Sequence, residues 1–347
     1  MTSRPSEATA EASGQAKPSM EVTPVQSRQA ALVATTEVRV KGETLSVPSV
    51  EIAGRTVIAS GKWLKVAAIH DEDLVEGEMV PAPASFVQHL KKTRLDADIF
   101  TFVQKLPDVT PKYTYHLEWD NFAVISITTF SEWWDKRVEA SVRRAARKAA
   151  KAGVVVTLAE FDDAFVNGIV SINNETPIRQ GRPFWHYRKS FDAVKRENST
   201  YAERTEFLGA YYQDELIGFI RMTYADKVAN IVQILSMIKH YDKRPTNALI
   251  AKAVEICAQK GISHLVYYSY IYNDPSSSLT EFKRRNGFEK VMLPRYYIPL
   301  TIKGKIALKL RFHRGLVRSI PKPLLRRFLK IRSQWNARRL KTVEGTL

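Results

Sequence analysis

Apolar and polar residues begin to alternate as in strands from about Val38; the roughly 40 residues before it show no period. Residues 49–58 and 63–69 read as strands, with Gly54 and Gly61 as the breaks. Pro81 and Pro83 open a helix over 83–95, with Phe86, Val87 and Leu90 on one face. A short apolar strand follows at 99–103. Residues 113–119 and 122–128 alternate on either side of Asp120-Asn121, which predicts a hairpin. Over 131–152, Val138, Val142, Ala145 and Ala149 step by four, three and four, the spacing of one helical stripe. Arg137, Arg143, Arg144, Arg147, Lys148 and Lys151 cover its other side, and Gly153 suits its C-cap.

Beyond that helix the elements alternate. The pattern predicts a strand over 154–158, helices over 162–175 and 191–197, and a hairpin of 207–213 with 216–222. A strand at 228–238, a helix at 245–259 closed by Gly261, a strand at 264–270, a short helix at 278–285 and a last strand at 289–300 complete the order. No tandem repeat is visible in the sequence.

Composition sharpens the picture at the two ends. None of the 35 aromatic residues precedes Trp63, and 1–40 is rich in Ser, Thr, Ala, Glu and Pro. Such a segment buries too little apolar surface to offset its ordering entropy and is expected to be disordered. The net charge is +17 over 347 residues, and fourteen of the 53 Lys and Arg residues crowd into 301–341, where no acid occurs. No apolar run reaches the roughly 18 residues of a spanning helix, and residues 1–20 lack the apolar core of a secretory signal. The lone Cys257 excludes a disulfide framework and a cysteine-rich zinc site, and it suits a reducing cytoplasm. The seven histidines show no metal-ligand spacing, so no metal is expected, and neither a P-loop nor a G-x-S-x-G elbow is present.

Three features together resemble the GNAT superfamily of acyl-CoA N-acyltransferases. A strand over 231–238 passes through a polar turn into a helix near Thr246, like the segment that seats the pyrophosphate of coenzyme A. Phe282-Lys283-Arg284-Arg285-Asn286-Gly287-Phe288 resembles a short Phe-Tyr-x-x-x-Gly-Phe segment near the end of the fold. Residues 143–156, RRAARKAAKAGVVV, resemble the basic helix by which Fem-type proteins join two GNAT-like units. The resemblance implies a mixed α/β (α+β) chain with a mixed sheet flanked by helices. Its segments would be a disordered 1–40, a reduced GNAT-like unit over 41–130, an acyltransferase domain over 131–300 and a basic amphipathic tail over 301–347. It implies an N-acyltransferase that moves an acyl group from acyl-CoA to an amine, such as one on an envelope or polysaccharide precursor. Two positions depart from the GNAT pattern: Thr246 replaces a central glycine, and Lys283 stands where a tyrosine often protonates the leaving thiolate. Fem-type ligases that take aminoacyl-tRNA also diverge here and form the first alternative. A non-enzymatic adaptor with a polyanion- or membrane-binding tail forms the second.

Amide formation from a thioester or ester needs a base for the amine, help for the oxyanion and often a proton for the leaving group. Backbone N–H groups near 235–238 would serve the oxyanion. His240 and Glu175 are the candidate bases; their alternatives are a surface-turn histidine and a helix-end carboxylate paired with Arg179 or Arg182. Tyr272 is the replacement for the missing acid tyrosine. Arg244, Thr246 and Asn247 stand at a helix start, where free N–H groups and a guanidinium bind phosphate; the alternative is a plain N-cap. Asn273 would match the asparagine that holds the pantetheine arm. Cys257 reads as a core residue.

In the tail, Leu324, Leu325, Phe328, Ile331 and Trp335 follow helical spacing among the cations. A basic amphipathic helix there would lie on an anionic membrane surface, placing the protein at the inner face of the membrane. The alternatives are a helix packed on the globule and an RNA contact, tRNA among them.

Overall fold

The computed structural model describes residues 33–40, 43–272 and 276–314. The chain opens with an antiparallel run of four strands, β1 (Ala34–Val40), β2 (Glu43–Ile52), β3 (Arg55–Ser60) and β4 (Val66–Ile69). Helix α1 (Pro83–Lys92) crosses over to β5 (Ile99–Val103), which pairs parallel to β4. The periodicity of 83–95 explains the crossover: Phe86, Val87 and Leu90 are buried against the sheet, and Pro83 starts the helix where no N–H is required.

Residues 113–128 do not form the expected hairpin. A single strand, β6 (His116–Ser126), runs straight through Asp120-Asn121. Both polar residues serve neighbouring segments instead of a turn. Asp120 pairs with Arg295, and the Asn121 side-chain oxygen accepts from the Ile271 N–H at 2.6 Å. The long helix expected over 131–152 is also interrupted. It comprises α2 (Phe130–Glu132), a π turn over Trp133–Arg137 and α3 (Ala140–Lys151). Val138 and Glu139 between them are extended, with ψ of 134° and 147°. The cause is packing: Trp133 is 1% exposed, and its indole N–H donates to the Asn286 carbonyl at 3.2 Å. Gly287 makes room for that ring at φ +77°, since a Cβ there would meet the indole nitrogen at 3.0 Å.

The second half starts at edge strand β7 (Val155–Ala159) and helix α4 (Asp163–Asn174), and continues through the short pair β8 (Ile178–Arg179) and β9 (Arg182–Pro183) to α5 (Phe191–Asn198). A second antiparallel meander follows: β10 (Thr205–Tyr212), β11 (Glu215–Ala225) and β12 (Val228–Ser236). Helix α6 (Pro245–Gln259) crosses over to β13 (His264–Ser269), parallel to β12. Helix α7 (Ser278–Arg285), β14 (Glu289–Pro299) and α8 (Ile302–Lys309) complete the described chain.

Although the sequence shows no repeat, the topology does. Each half has an antiparallel meander (four strands in the first, three in the second), a crossover helix, a parallel strand and an eleven-residue final strand, and the halves exchange those final strands. In the sheet order β1-β2-β3-β4-β5-β14-β6-β13-β12-β11-β10-β7, β14 lies beside β5 and β6 lies beside β13. The result is a large mixed sheet flanked by helices. Helix α6 buries Leu249, Ile250, Ala253, Val254, Ile256 and Cys257 on it, each large aliphatic adding roughly 1.5–3 kcal/mol. Cys257 is thus a core residue, its thiol pushed up to about 12 by burial. Among the described residues no helix is long and apolar enough to cross a membrane. The amphipathic stretch expected over 324–335 lies outside the described residues.

Candidate active site

Strands β12 and β13 pair over only three residues each, Val228–Asn230 with His264–Val266. Beyond Asn230 and Val266 the pairing stops, leaving a wedge of the kind where α/β sheets bind ligands. Strand β13 is also irregular on its other side. Its register against β6 shifts between Val266 and Ser269, and Tyr268 lies in the left-handed region at φ +45°. For a bulky residue that is a strained backbone, a feature that concentrates at functional sites.

Three groups come from segments that border this wedge. Asp73 comes from the segment after β4 and lines a small cavity with Asn230, Val266 and Tyr268. The Asn230 side chain fixes that segment by donating to the Asp73 carbonyl at 3.1 Å. Burial, followed by the negative charge of Glu72, raises the Asp73 carboxyl to about 7 against the opposing pull of Arg295. Lys283, on α7, is fully buried, and its ammonium donates to the Ser269 carbonyl at 2.6 Å. It lies 4.5 Å from the centre of the Tyr267 ring and 4.9 Å from that of Tyr272. No carboxylate pairs with it among the described residues, and burial lowers its pKa to about 8. The half-exposed Tyr272 sets its ring beside Lys283, and its pKa is raised by desolvation first and then by the charge of Asp73. A carboxyl near 7 and an amine near 8 in the segments bordering one wedge are groups whose environments shift them toward neutrality.

Neither Glu175 nor His240 is a partner of these groups. Glu175 follows α4, and both its oxygens are occupied: one accepts from the Ile238 N–H at 2.6 Å, the other from the Lys239 N–H at 2.8 Å. Arg179 pairs with it at 3.2 Å while also donating to the Ser236 carbonyl. Glu175 therefore anchors the end of β12, and it engages the Ile238 N–H, one of the amides expected to serve the oxyanion. His240 packs beside Tyr212 with Nε2 3.1 Å from Glu215, and its buried Nδ1 has no partner among the described residues.

The expected phosphate site opens elsewhere. A cavity of about 560 Å³ lies between α3, the start of α6 and α7, lined by Arg144, Lys148, Arg244, Asn247, Ser278 and Arg285 among others. Arg244 precedes Pro245 at φ +59°. Asn247 reaches Asn286 at 3.4 Å, whereas Thr246 turns back to Ser236 at 3.0 Å. Arg244 and Asn247 thus line the cavity, and Asn273 lies outside the described residues. One ionisable cluster invisible in the sequence is His116, Glu118 and His313, whose ligand-type atoms gather within 4.8 Å. Arg314 donates to the same Glu118 oxygen as His313, at 2.8 and 2.7 Å, so the group acts as an ion-pair clamp.

Asp73 and the buried state of Lys283 escaped sequence reasoning. Nothing in the sequence pattern singles out Asp73, and Lys283 marks only a departure from a motif. The one available signal was the position of Lys283 three residues after Thr280, on the buried side of a short helix.

No protein-family model matches the sequence, and neither does the sequence of any curated protein. The fold is similar to that of solved structures. FemX superposes with a TM-score of 0.53 at 10% identity, over 81% of this chain and 90% of that one. The C-terminal domain of a putative lysylphosphatidylglycerol synthetase from Agrobacterium fabrum gives 0.47 at 12% identity, over 73% and 84%. The lysylphosphatidylglycerol synthetase of Bacillus licheniformis gives 0.47 at 12%, over 74% and 86%. The chain has a GNAT-like fold of the Fem type.

Proposed function

We propose that this chain is a transferase that moves an acyl group from a phosphate-bearing carrier to an amine. The reading rests on one observation: Asp73, which lines the cavity at the wedge between β12 and β13, and the buried Lys283, bonded to the end of β13, are both shifted toward neutrality by their surroundings. Asp73, titrating near 7, takes the proton from the incoming ammonium. The amine attacks the carbonyl carbon, and the oxyanion that forms is stabilised by the Lys283 ammonium, a buried charge in a low-dielectric site. As the tetrahedral centre collapses, the carbon–sulfur or carbon–oxygen bond to the carrier breaks. Lys283, near 8, gives the leaving atom its proton and is reprotonated by the second proton released from the new amide nitrogen, so that the one net proton of the reaction rests on Asp73.

The cationic cavity holding Arg244 and Asn247 would take the carrier's phosphates. Acyl-CoA is the proposed donor. An aminoacyl-tRNA is the second reading, favoured by Thr246, whose bond to Ser236 replaces the bare glycine turn that seats a pyrophosphate. In either case 41–130 supplies Asp73 and 131–300 supplies Lys283. The other proposed partners are the amine acceptor and, through 301–341, an anionic membrane surface at the cytoplasmic face. Thermal shift with acetyl-CoA and with aminoacyl-tRNA, followed by transfer of labelled acyl group to an amine panel, tests the proposal. A ligand at 100 times its Kd should add about 2.7 kcal/mol. Absence of a shift and of transfer with both donors would overturn the transferase reading.

A further inference from the structure

Helix α8 is fixed on the protein yet turns an aliphatic ridge outward. Gly304, Ala307 and Leu308 face the body, where Gly304 packs directly on the Asp98 backbone. Thr301 caps the helix, accepting from the Gly304 N–H at 3.0 Å and donating to Asp98 at 2.9 Å. On the opposite side, Ile302, Ile306 and Leu310 are 81%, 53% and 52% exposed. They recur every four residues and so form one continuous ridge. Lys305 and Lys309, both exposed, run along one flank. Lys303 lies on the other, 2.8 Å from Asp98 and 5.6 Å from the centre of the Trp63 ring. Trp63 is itself 53% exposed and packs edge-on against Phe312.

A ridge of large aliphatics bordered by lysines, with an indole at its rim and no acid in the helix, fits the boundary of a bilayer. The aliphatics enter the acyl region, the lysines meet anionic headgroups and the indole sits between them. The charge decides between occupants. An apolar protein partner would leave Lys305 and Lys309 without counter-charges, whereas an anionic lipid surface supplies them. We infer that the outward face of α8, with Trp63 at its edge, is the surface by which this protein docks on an anionic membrane. The inference rests on the proposed membrane partnership of 301–341 and names the contact.

The test is co-sedimentation of the full-length protein with phosphatidylglycerol–phosphatidylcholine vesicles at low salt. Two full-length variants are compared with the wild type: Ile302→Ser/Ile306→Ser/Leu310→Ser, and Arg326→Ser/Arg327→Ser/Lys330→Ser. The first should bind at least about tenfold more weakly while melting like the wild type, since its three side chains are exposed. Ile302→Ser alone, at the most exposed position, should weaken binding in the same direction and serves if the triple variant fails to fold. Vesicles of pure phosphatidylcholine should capture far less wild type. If the α8 variants sediment like the wild type while the tail variant is lost, the α8 surface is overturned and the membrane partnership stands. If the wild type fails to sediment with anionic vesicles, both are overturned.

Discussion

Replacing Lys283 by methionine separates a catalytic lysine from a structural one. The side chain is fully buried, and no carboxylate among the described residues neutralises it. Lowering its pKa from 10.5 to about 8 means that, at neutral pH, the buried charge opposes folding by about 3 kcal/mol. The sign follows from proton counting. Between about pH 8 and 10.5 the unfolded lysine still holds a proton that the native one has lost, so wild-type stability rises with pH across that window. Methionine keeps the volume and the contact with the Tyr267 and Tyr272 rings, removes the charge and gives up the hydrogen bond to Ser269. That lost bond, with its carbonyl left bare, costs roughly 1–2 kcal/mol. The net expectation at pH 7 is a gain of roughly 1–2 kcal/mol, or about 2–3 °C in Tm for a chain of this length. Turnover should meanwhile fall about 10²–10⁴-fold. The assays are thermal denaturation at pH 7 and pH 10, where the advantage of the variant should shrink, and steady-state transfer. A variant that melts earlier at pH 7 and keeps its turnover would refute the reasoning, because Lys283 would then be a packing residue.

Other substitutions probe the remaining groups. Asp73→Asn should cost about 10²–10⁴-fold in kcat and abolish the ionisation near 7 in the pH–rate profile. Between pH 4 and 7 native Asp73 holds a proton that the unfolded chain has lost, so stability should fall with pH across that window in the wild type and less in the variant. Glu175→Gln should act on the fold: it removes charge-assisted bonds to two backbone amides, a loss of roughly 1.5–3 kcal/mol by denaturant titration. Arg244→Ala should raise KM for the donor with little change in kcat and flatten the salt dependence of donor binding, measured by titration at two ionic strengths.

Much of the architecture was legible because it rests on local pattern. The Pro83 and Pro245 helix starts, the apolar stripe of α6 and the strand that follows each of these helices come from periodicity and capping. What failed was set by distant contacts. Asp120-Asn121 looks like a turn until Arg295 and the Ile271 amide claim it, 175 and 150 residues away. The helix over 131–152 breaks because Trp133 docks against Asn286 and Gly287. The exchange of β6 and β14 leaves no local trace. The candidate site divides in the same way. Arg244 and Asn247 are readable from a helix start, whereas Asp73 and Lys283 stand out only through the burial that the assembled sheet creates around them. Glu175 and His240 were conspicuous as polar residues in polar loops, and the fold gives their side chains backbone amides and Glu215 as partners.

The central claim is that acyl transfer takes place at the wedge between Asp73 and Lys283. It is tested most directly by a crystal structure with an unreactive donor, either an amide analogue of acetyl-CoA or an aminoacyl-adenosine amide. The account predicts the donor carbonyl oxygen within about 3.2 Å of Lys283 Nζ, with the acceptor side of the carbonyl open toward Asp73. A donor carbonyl seated beside His240 and Glu215, with Lys283 still bound only to Ser269, would contradict it.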